Sequence, residues 1–268
     1  MKRFAVIGNP IAHSLSPLIH QQFAKQTGIA LVYEKILSEE AAFAECVQNF
    51  FRQGGIGLNV TAPFKRAAFD LASIKTERCL AAEAANTLWE KNGEIYADNT
   101  DGIGLIRDLA KHIQLQGCSV LILGAGGGAQ GIIPALHAAS VAKITVYNRT
   151  VSRVEKLQQQ FNFIHIASKE FKKAEAYDII VNATSASGQP GQEIVADNFL
   201  TEACLPFSLC YDLRYTLNGL TPFVLLAQRA GMRACDGLGM LVEQAAEAFC
   251  DWHGFLPETQ DVLRTLRS

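Results

Sequence analysis

The feature that most constrains the fold of this chain is an aliphatic run, Val120-Leu121-Ile122-Leu123, that leads directly into glycines at 124 and 126–128. Such a run is typical of a buried strand, and the glycines predict a tight turn into a helix over residues 129–139. A strand, a glycine turn and a helix in this order place a dinucleotide pyrophosphate at the helix N-terminus, where backbone N–H groups favour anions. A turn that serves tight packing alone remains the alternative, although a second strand predicted at 143–147 favours nucleotide binding.

The residues after that second strand indicate which dinucleotide binds. NAD-binding domains carry an acidic residue here, which accepts a hydrogen bond from the adenosine ribose, whereas this chain has Asn148, Arg149 and Thr150, with Arg153 one turn further on. A carboxylate would repel a 2′-phosphate, and two guanidinium groups would bind it. These residues predict NADP as the cofactor, although Arg149 and Arg153 could also form a solvated helix face.

Composition argues against several other classes of protein. The 268 residues include 24 basic and 26 acidic side chains, a net charge of −2, so no general attraction to nucleic acid or to an anionic membrane is expected. The apolar runs are shorter than the ~18 to 20 residues that cross a bilayer, and the N-terminal run is too short for a signal peptide, so we expect a cytoplasmic protein. Seven cysteines without a CxxC pair and six histidines without ligand spacing predict reduced thiols and no metal site.

Strand and helix patterns alternate along the chain, which predicts an α/β protein. The first region has strand patterns at 4–7, 31–36, 57–60, 85–89 and 94–98 and helical patterns at 16–27 and 39–53. Asn92-Gly93 predicts a hairpin between two of these strands, so we expect an antiparallel edge on a parallel sheet. The second region has strand patterns at 119–123, 143–147, 163–166, 178–182 and 209–212 with helices between them, which is typical of a doubly wound, Rossmann-like nucleotide-binding domain. Residues 238–267 are predicted to be helical.

Polar residues follow two strands of the first region at their carboxyl ends, where open α/β sheets bind ligands. Ser14 and Ser16 follow the first strand, and Ser16 could be either an N-cap before Pro17 or a ligand contact. The second group is Asn59, Thr61 and Lys65.

Hydride transfer to a carbonyl leaves an alkoxide that needs a proton donor nearby. Lys65 is a plausible donor, since a lysine side chain is charged at neutral pH. A neighbouring carboxylate such as Asp101 would hold the ammonium group in place.

A series of motifs resembles the shikimate dehydrogenase family in order and spacing. They are Ser14-Leu15-Ser16-Pro17, Asn59-Val60-Thr61-Ala62-Pro63-Phe64-Lys65, Ala85-Asn86-Thr87, Asp98-Asn99-Thr100-Asp101-Gly102, Gly124-Ala125-Gly126-Gly127, Asn148-Arg149-Thr150, Asn182-Ala183-Thr184-Ser185, Tyr211-Asp212 and Asp236-Gly237-Leu238-Gly239-Met240-Leu241-Val242-Glu243-Gln244-Ala245. Each motif alone is weakly specific, but together they run from end to end of the chain. The resemblance implies reversible reduction of 3-dehydroshikimate to shikimate by NADPH, a step in aromatic amino-acid biosynthesis.

The resemblance also implies roles for individual residues. Lys65 and Asp101 would form the catalytic pair, and the expected substrate-binding residues are Ser14 and Ser16 at the carboxylate, Thr61, Asn86, Asp101 and Gln244 at the ring hydroxyls, and Asn59 and Tyr215. The expected cofactor-binding residues are Gly124, Gly126, Gly127, Gly128 and Ala129 around the pyrophosphate, Asn148, Arg149, Thr150 and Arg153 at the 2′-phosphate, and Thr184, Leu213, Gly237 and Met240 near the nicotinamide. Gly128 and Gln130 depart from the alanine and arginine of many members, which predicts weaker NADP binding.

If Gln244 reaches the substrate, the C-terminal helices must return to the first domain. We therefore expect a substrate domain of residues 1–101 and 238–268 and an NADP-binding domain of residues 102–237. Phe249, Trp252 and Leu256 would supply the apolar face of the returning segment. A helix that caps the nucleotide domain is the alternative.

Two other functions stay open at this point. A quinate/shikimate dehydrogenase that uses NAD would be expected to have an acidic residue near Arg149, and residues 150–152 offer none. A non-catalytic NADP-binding sensor on the same fold would be expected to lack Lys65 or Asp101. The expected ligands are small molecules, with no nucleic-acid or membrane partner, and the chain is expected to be a monomer or a homodimer.

Overall fold

The computed structural model describes residues 1–167, 176–184 and 199–268. The chain divides into two compact units, one of residues 1–104, 241–266 and 268 and the other of residues 105–240 and 267. The first division falls after Gly104, against 101 in the prediction, and the second after Met240, against 237. Within the described residues, no helix is both long and apolar enough to span a membrane.

The strands are β1 (Lys2–Gly8), β2 (Leu31–Leu37), β3 (Gly55–Val60), β4 (Ile74–Lys75), β5 (Thr87–Lys91), β6 (Glu94–Asp98), β7 (Ser119–Leu123), β8 (Lys143–Tyr147), β9 (His165–Ile166), β10 (Tyr177–Asn182), β11 (Cys204–Asp212) and β12 (Arg233–Asp236). The α-helices are α1 (Ser16–Thr27), α2 (Phe43–Arg52), α3 (Lys65–Leu71), α4 (Glu77–Ala82), α5 (Asp101–Leu109), α6 (Gly127–Ala138), α7 (Val151–Gln160), α8 (Phe199–Ala203), α9 (Pro222–Arg229), α10 (Leu238–His253) and α11 (Gln260–Arg267). A short 3-10 turn, Glu40–Ala42, directly precedes α2, so the first turn of the helix predicted at 39–53 is not α-helical.

The first unit is built on a sheet with the order β2-β1-β3-β5-β6-β4. β1 pairs in parallel with β2 and β3, whereas β5 runs antiparallel to both β3 and β6. The predicted hairpin is present, and Asn92 and Gly93 both have positive φ in its turn. The prediction of an antiparallel edge is wrong, because β6 returns the chain to the common direction and the short strand β4 pairs in parallel beyond it.

The C-terminal helices pack within the first unit. Val242 and Phe249 of α10 are buried with Ile19 and Phe23 of α1 and with Val262 of α11. These positions recur at helical spacing, so α10 presents a continuous apolar stripe to α1.

Trp252, near the end of α10, stacks on Phe4 of β1 with ring centroids 4.9 Å apart. Leu256 is instead 48 % exposed, because α10 ends at His253 and Gly254, with φ of 80°, turns the chain away from this core. The prediction that Leu256 contributes to the apolar face is therefore wrong.

The second unit contains a fully parallel sheet with the order β9-β8-β7-β10-β11-β12. Counted from β7 along the chain, this is the 3-2-1-4-5-6 order of the Rossmann fold. The aliphatic run of β7 is buried on both faces, as central strands of parallel sheets are. The predicted α/β fold with a doubly wound nucleotide-binding domain is confirmed. The chain order reverses between β7 and β10, which is where ligands bind in open α/β sheets.

Candidate functional site

In the first unit, the loops that follow β1 and β3 are held side by side. The Thr61 amide donates to the Ile7 carbonyl at 3.0 Å, and the Asn9 amide donates to the Ala62 carbonyl at 3.1 Å. Because β1 and β3 are parallel neighbours, the polar residues that follow both strands lie at the same edge of the sheet.

The two serines after β1 contact each other. Ser14 Oγ donates to Ser16 Oγ at 3.2 Å and accepts a hydrogen bond from the Ser16 amide at 3.3 Å. Helix α1 begins at Ser16, and its N-cap is Leu15, whose carbonyl accepts from the Ile19 amide. The N-cap interpretation of Ser16 is therefore wrong: Ser16 is inside the first turn, and its hydroxyl does not cap the helix.

Lys65 and Asp101 form an ion pair between the first residues of α3 and α5. Lys65 Nζ lies 2.5 Å from Asp101 Oδ2, and the two side chains are 21 % and 9 % exposed. At the N-terminus of α5 the helix dipole stabilises the Asp101 carboxylate. Such a pair is charge-assisted and shielded from most of the solvent, so it fixes the position of the ammonium group.

A buried carboxamide joins this ion pair to α10. Asn86 Nδ2 lies 2.9 Å from Asp101 Oδ1, 2.9 Å from Thr100 Oγ1 and 3.1 Å from Gln244 Oε1. Its oxygen accepts from the Thr100 amide at 2.8 Å. Residues from the turn before β5, from the start of α5 and from α10 thus converge on one polar cluster.

Asn59 is buried beside this cluster, and its carboxamide oxygen accepts from the Tyr33 hydroxyl at 2.6 Å. Burial raises the pKa of Tyr33 well above its usual range, and a hydrogen bond from Ser16 acts in the opposite direction. Tyr33 was missed by sequence reasoning, because a tyrosine in an alternating strand gives no sign that its hydroxyl lies against residues from other strands.

The structure therefore brings the predicted catalytic pair, Lys65 and Asp101, and most of the predicted substrate-binding residues into the first unit: Ser14, Ser16, Asn59, Thr61, Asn86 and Gln244. Tyr215 belongs to the second unit, where it lies between β11 and α9. The assignment of these residues to catalysis and to substrate binding stays a prediction.

In the second unit, the glycine turn after β7 is closely packed at its start and open at the N-terminus of α6. Gly124 has φ of +107°, and a Cβ there would lie 3.0 Å from backbone atoms of Ala183, so a side chain would be both strained and crowded. Gly126 is the N-cap of α6, and around Gly126 and Gly127 a Cβ would meet nothing within 4 Å. The first N–H groups of a helix have no acceptor within it, so this end of α6 offers donors facing open space.

A pocket lies at the end of β8. It is lined by Val146, Tyr147, Asn148, Arg149, Val151, Val154, Ile166 and Ala167. Apolar walls with one cation at the rim suit an adenosine ring and its phosphate. Arg149 and Arg153 are exposed, and Asn148 Nδ2 donates to the Thr150 carbonyl at 2.9 Å, which fixes the turn into α7. The side-chain amide of Gln130 donates a hydrogen bond to the side chain of Gln160 at 3.3 Å.

A buried network fixes the segments that follow β10 and β11. Asn182 donates to Asp212 Oδ1 at 2.9 Å and accepts from Thr184 Oγ1 at 2.8 Å. Thr221 donates to the other Asp212 oxygen at 2.6 Å, and the Leu213 amide donates to the Asn182 carbonyl at 2.9 Å. Asn182 and Asp212 belong to motifs of the sequence, but the sequence indicated no role for them. The structure shows that they hold Thr184 and Leu213 in place. Ser185, the last residue of that motif, lies outside the described residues.

Gly237 lies where the chain leaves β12. Its amide donates to the Arg214 carbonyl at 2.9 Å, and a Cβ would lie 2.5 Å from the Leu213 carbonyl oxygen. Met240, one turn into α10, packs against the core that includes Tyr211. Together, the glycine turn, the pocket and these segments fit a dinucleotide at the carboxyl end of the sheet. The described residues contain no cluster of three or more His, Cys, Asp or Glu side chains that could hold a metal ion.

Comparison with protein families matches three successive parts of the chain. Residues 6–88 match the shikimate dehydrogenase substrate binding domain, residues 108–199 match the shikimate / quinate 5-dehydrogenase family, and residues 237–267 match the shikimate 5′-dehydrogenase C-terminal domain. These matches follow the order of the motifs along the chain.

Known proteins match along their whole length. The shikimate dehydrogenase (NADP(+)) of Legionella pneumophila strain Philadelphia 1 is 52 % identical, with 100 % of this chain and 99 % of the relative covered. The corresponding protein of Chromobacterium violaceum is 44 % identical, with coverage of 99 % and 97 %.

Solved structures match at the level of the whole chain too. An Ael1 enzyme from Pseudomonas putida has a TM-score of 0.89 at 40 % identity, covering 100 % of this chain and 99 % of its own. The shikimate 5-dehydrogenase of Thermus thermophilus, solved in complex with NADP(H) and shikimate, has a TM-score of 0.88 at 30 % identity, with the same coverage. From its motifs, its fold and these similarities, the chain belongs to the shikimate dehydrogenase family.

Proposed function

We propose that this chain catalyses the reversible reduction of 3-dehydroshikimate to shikimate with NADPH, as a step in aromatic amino-acid biosynthesis. The observation that carries the proposal is the Lys65–Asp101 pair, 2.5 Å apart and joined to Asn86 and Gln244. A fixed ammonium group beside carboxamides is suited to a carbonyl compound that also carries hydroxyl groups.

NADPH supplies the hydride that reduces the ketone carbon. Lys65 donates a proton from Nζ to the carbonyl oxygen, so that the C=O bond becomes a CH–OH group without a free alkoxide. In the oxidative direction Lys65 Nζ takes the proton back. Asp101 holds Nζ at a fixed position in both directions, which is its principal contribution to the rate.

Recognition of the substrate rests on short polar side chains. Shikimate is a small ring with one carboxylate and three hydroxyl groups, and a site built from hydrogen-bonding groups penalises analogues that leave those groups unpaired. Ser14 and Ser16 bind the carboxylate as neutral donors. Asn86, Asp101 and Gln244 bind ring hydroxyls together with Thr61, and Asn59 completes the site in the first unit.

The second unit binds NADP. The N-terminus of α6 faces open space at Gly126 and Gly127, which suits the pyrophosphate. Arg149 lines the pocket after β8, Arg153 is exposed one turn further on, in α7, and both bind the 2′-phosphate that NAD lacks. Thr184, Leu213, Gly237 and Met240 lie near the nicotinamide.

Two alternatives are less well supported. The relatives from Legionella pneumophila and Chromobacterium violaceum are named for NADP, which disfavours an NAD-dependent quinate/shikimate dehydrogenase. A non-catalytic sensor would have no need of a paired lysine and aspartate. Location in the cytoplasm, and a state of either monomer or homodimer, are further parts of the proposal.

The test is a spectrophotometric assay of purified protein, with shikimate or quinate as substrate and NADP or NAD as cofactor. We expect the highest kcat/KM for shikimate with NADP. A higher kcat/KM with NAD, or with quinate, would establish the first alternative. NADP binding without turnover of either substrate would establish the second.

A further inference from the structure

Thr87 contacts the polar cluster through Asn86 and has no role in the proposed reaction. It is the first residue of β5, it is fully buried, and its register partners are Asn59 on β3 and Asp98 on β6. A threonine suits a strand because its branched Cβ packs well against neighbouring strands, and a valine would pack equally well there. The hydroxyl group therefore needs an explanation of its own.

That hydroxyl joins two carboxamides. Asn59 Nδ2 donates to Thr87 Oγ1 at 3.2 Å, and Thr87 Oγ1 donates to Asn86 Oδ1 at 3.0 Å. The direction follows from the Asn86 backbone carbonyl, which can only accept and lies 3.3 Å from Asn59 Nδ2, so that nitrogen is the end of Asn59 that faces Thr87. A hydroxyl has one proton, and here Thr87 gives it to Asn86.

The orientation of Asn86 matters because its two ends face different groups. Its nitrogen faces Asp101 Oδ1 and Gln244 Oε1, which are both acceptors. A rotation by half a turn would bring the Asn86 oxygen against these acceptors and leave no donor there. Because a buried acceptor would be left unpaired, the equilibrium constant for the rotated orientation of Asn86 is lowered by about several-fold to a hundredfold.

We propose that Thr87 is a positioning residue, whose hydroxyl holds the Asn86 carboxamide with its nitrogen towards Asp101 and Gln244. The inference rests on the proposed function, in which those two residues and Asn86 bind the substrate. Thr87 acts through Asn86 and does not itself touch the substrate.

The first test compares Thr87→Val with Thr87→Ser. The valine variant keeps the shape of the side chain and removes the hydroxyl, and we expect kcat/KM for shikimate to fall by about tenfold, the loss typical of one buried hydrogen bond. Two other donations, from the amide and the hydroxyl of Thr100, still hold Asn86 Oδ1, so activity does not vanish. The serine variant restores the hydroxyl and should stay within about twofold of the unmodified protein.

Thr145→Val is the matched control. Thr145 is also a buried strand threonine, and its Oγ1 has no hydrogen-bond partner among the described residues. It lies in β8 of the second unit, so its replacement should change kcat/KM by less than about twofold.

A double-mutant cycle separates positioning from a general effect on the fold. If Thr87 acts through Asn86, then Thr87→Val should change kcat/KM by less than about twofold in an Asn86→Ala background. A similar loss in both backgrounds, or no loss in the unmodified background, would overturn the proposal.

A second readout does not depend on turnover. In a ¹⁵N-labelled protein, the side-chain amide signals of Asn86, assigned by their loss in Asn86→Ala, should shift in Thr87→Val and stay unchanged in Thr145→Val. Unchanged Asn86 signals in Thr87→Val would refute the inference even if the chain oxidised shikimate. Absence of shikimate oxidation by the unmodified protein would refute the proposed function, and the amide signals would still decide the role of Thr87.

Discussion

Replacement of Asp251 by asparagine should change how the stability of the first unit depends on pH. Asp251, near the end of α10, lies 3.9 Å from Arg78, which also pairs with Glu247 of α10 and with the fully buried Asp98. Burial raises the pKa of Asp251 to about 8, and the negative charge of Asp98 acts in the same direction. Arg78 opposes this shift.

The sign follows from proton binding. The native Asp251 carboxyl holds a proton up to a pKa of about 8, whereas the unfolded chain loses it near 3.8. Between these values the native Asp251 carboxyl binds more protons than it does in the unfolded state, so the stability that this carboxyl contributes is greatest at low pH and is lost as the pH rises. One proton corresponds to at most about 1.4 kcal/mol for each pH unit, and because Arg78 stabilises the ionised Asp251 carboxylate we expect a loss of about 2 to 4 kcal/mol between about pH 5 and pH 8.

Asp251→Asn removes this dependence, because an amide stays neutral and can still donate to Asp98. Urea unfolding followed by tryptophan fluorescence reports on the first unit alone, since Trp89 and Trp252 both belong to it. The variant should match the unmodified protein near pH 5 and exceed its unfolding free energy by about 2 to 4 kcal/mol near pH 8. Asp70→Asn, at a carboxylate that is 57 % exposed, is the control and should show no such difference. Parallel pH curves for the unmodified protein and Asp251→Asn would refute the reasoning.

Further predictions concern the cofactor, the core and a buried histidine. Replacing Arg149 and Arg153 together by alanine should raise the KM for NADP by about tenfold or more and leave that for NAD nearly unchanged, and equal effects would mean that both are surface charges. Gly57→Ala should lower the unfolding free energy by about 1 to 3 kcal/mol in urea titrations, because a Cβ there would overlap the indole of Trp252; an unchanged midpoint would contradict that packing. Burial lowers the pKa of His20 to about 3 from 6.5, so the stability it supports is present above the unfolded value and is lost as the pH falls. The loss of unfolding free energy between about pH 6.5 and pH 4 should be smaller in His20→Phe than in the unmodified protein. An identical loss in both proteins would exclude His20 as its source.

Much of the fold could be predicted because its signals are local. The aliphatic run of β7 and the glycines after it lie next to each other in sequence, and β6 begins and ends at the predicted residues, 94 and 98. The short strands β4 and β12 gave no such signal. Two to four residues do not establish a period, and these strands form because neighbouring strands supply their hydrogen-bond partners.

The candidate site could be predicted where a residue type and its place after a strand suggested chemistry, as for Lys65 and Asp101. Tyr33, Thr87 and Asp212 could not be found in this way, since each acts through a partner from another strand or loop. The two interpretations of Ser16 could not be separated from sequence, because the start of α1 depends on which carbonyl accepts the first helical hydrogen bond, and that carbonyl belongs to Leu15.

The most direct test of the account is the turnover of shikimate with NADP by Lys65→Met. This variant keeps an unbranched side chain of similar length and removes the ammonium group that Asp101 holds at 2.5 Å. We expect kcat to fall by about 10² to 10⁴ with little change in KM, because the lost interaction is proton transfer in the transition state. NADPH binding should be retained, and Lys25→Met, at an exposed lysine of α1, should keep full activity. A folded, NADPH-binding Lys65→Met protein with the kcat of the unmodified enzyme would contradict the account.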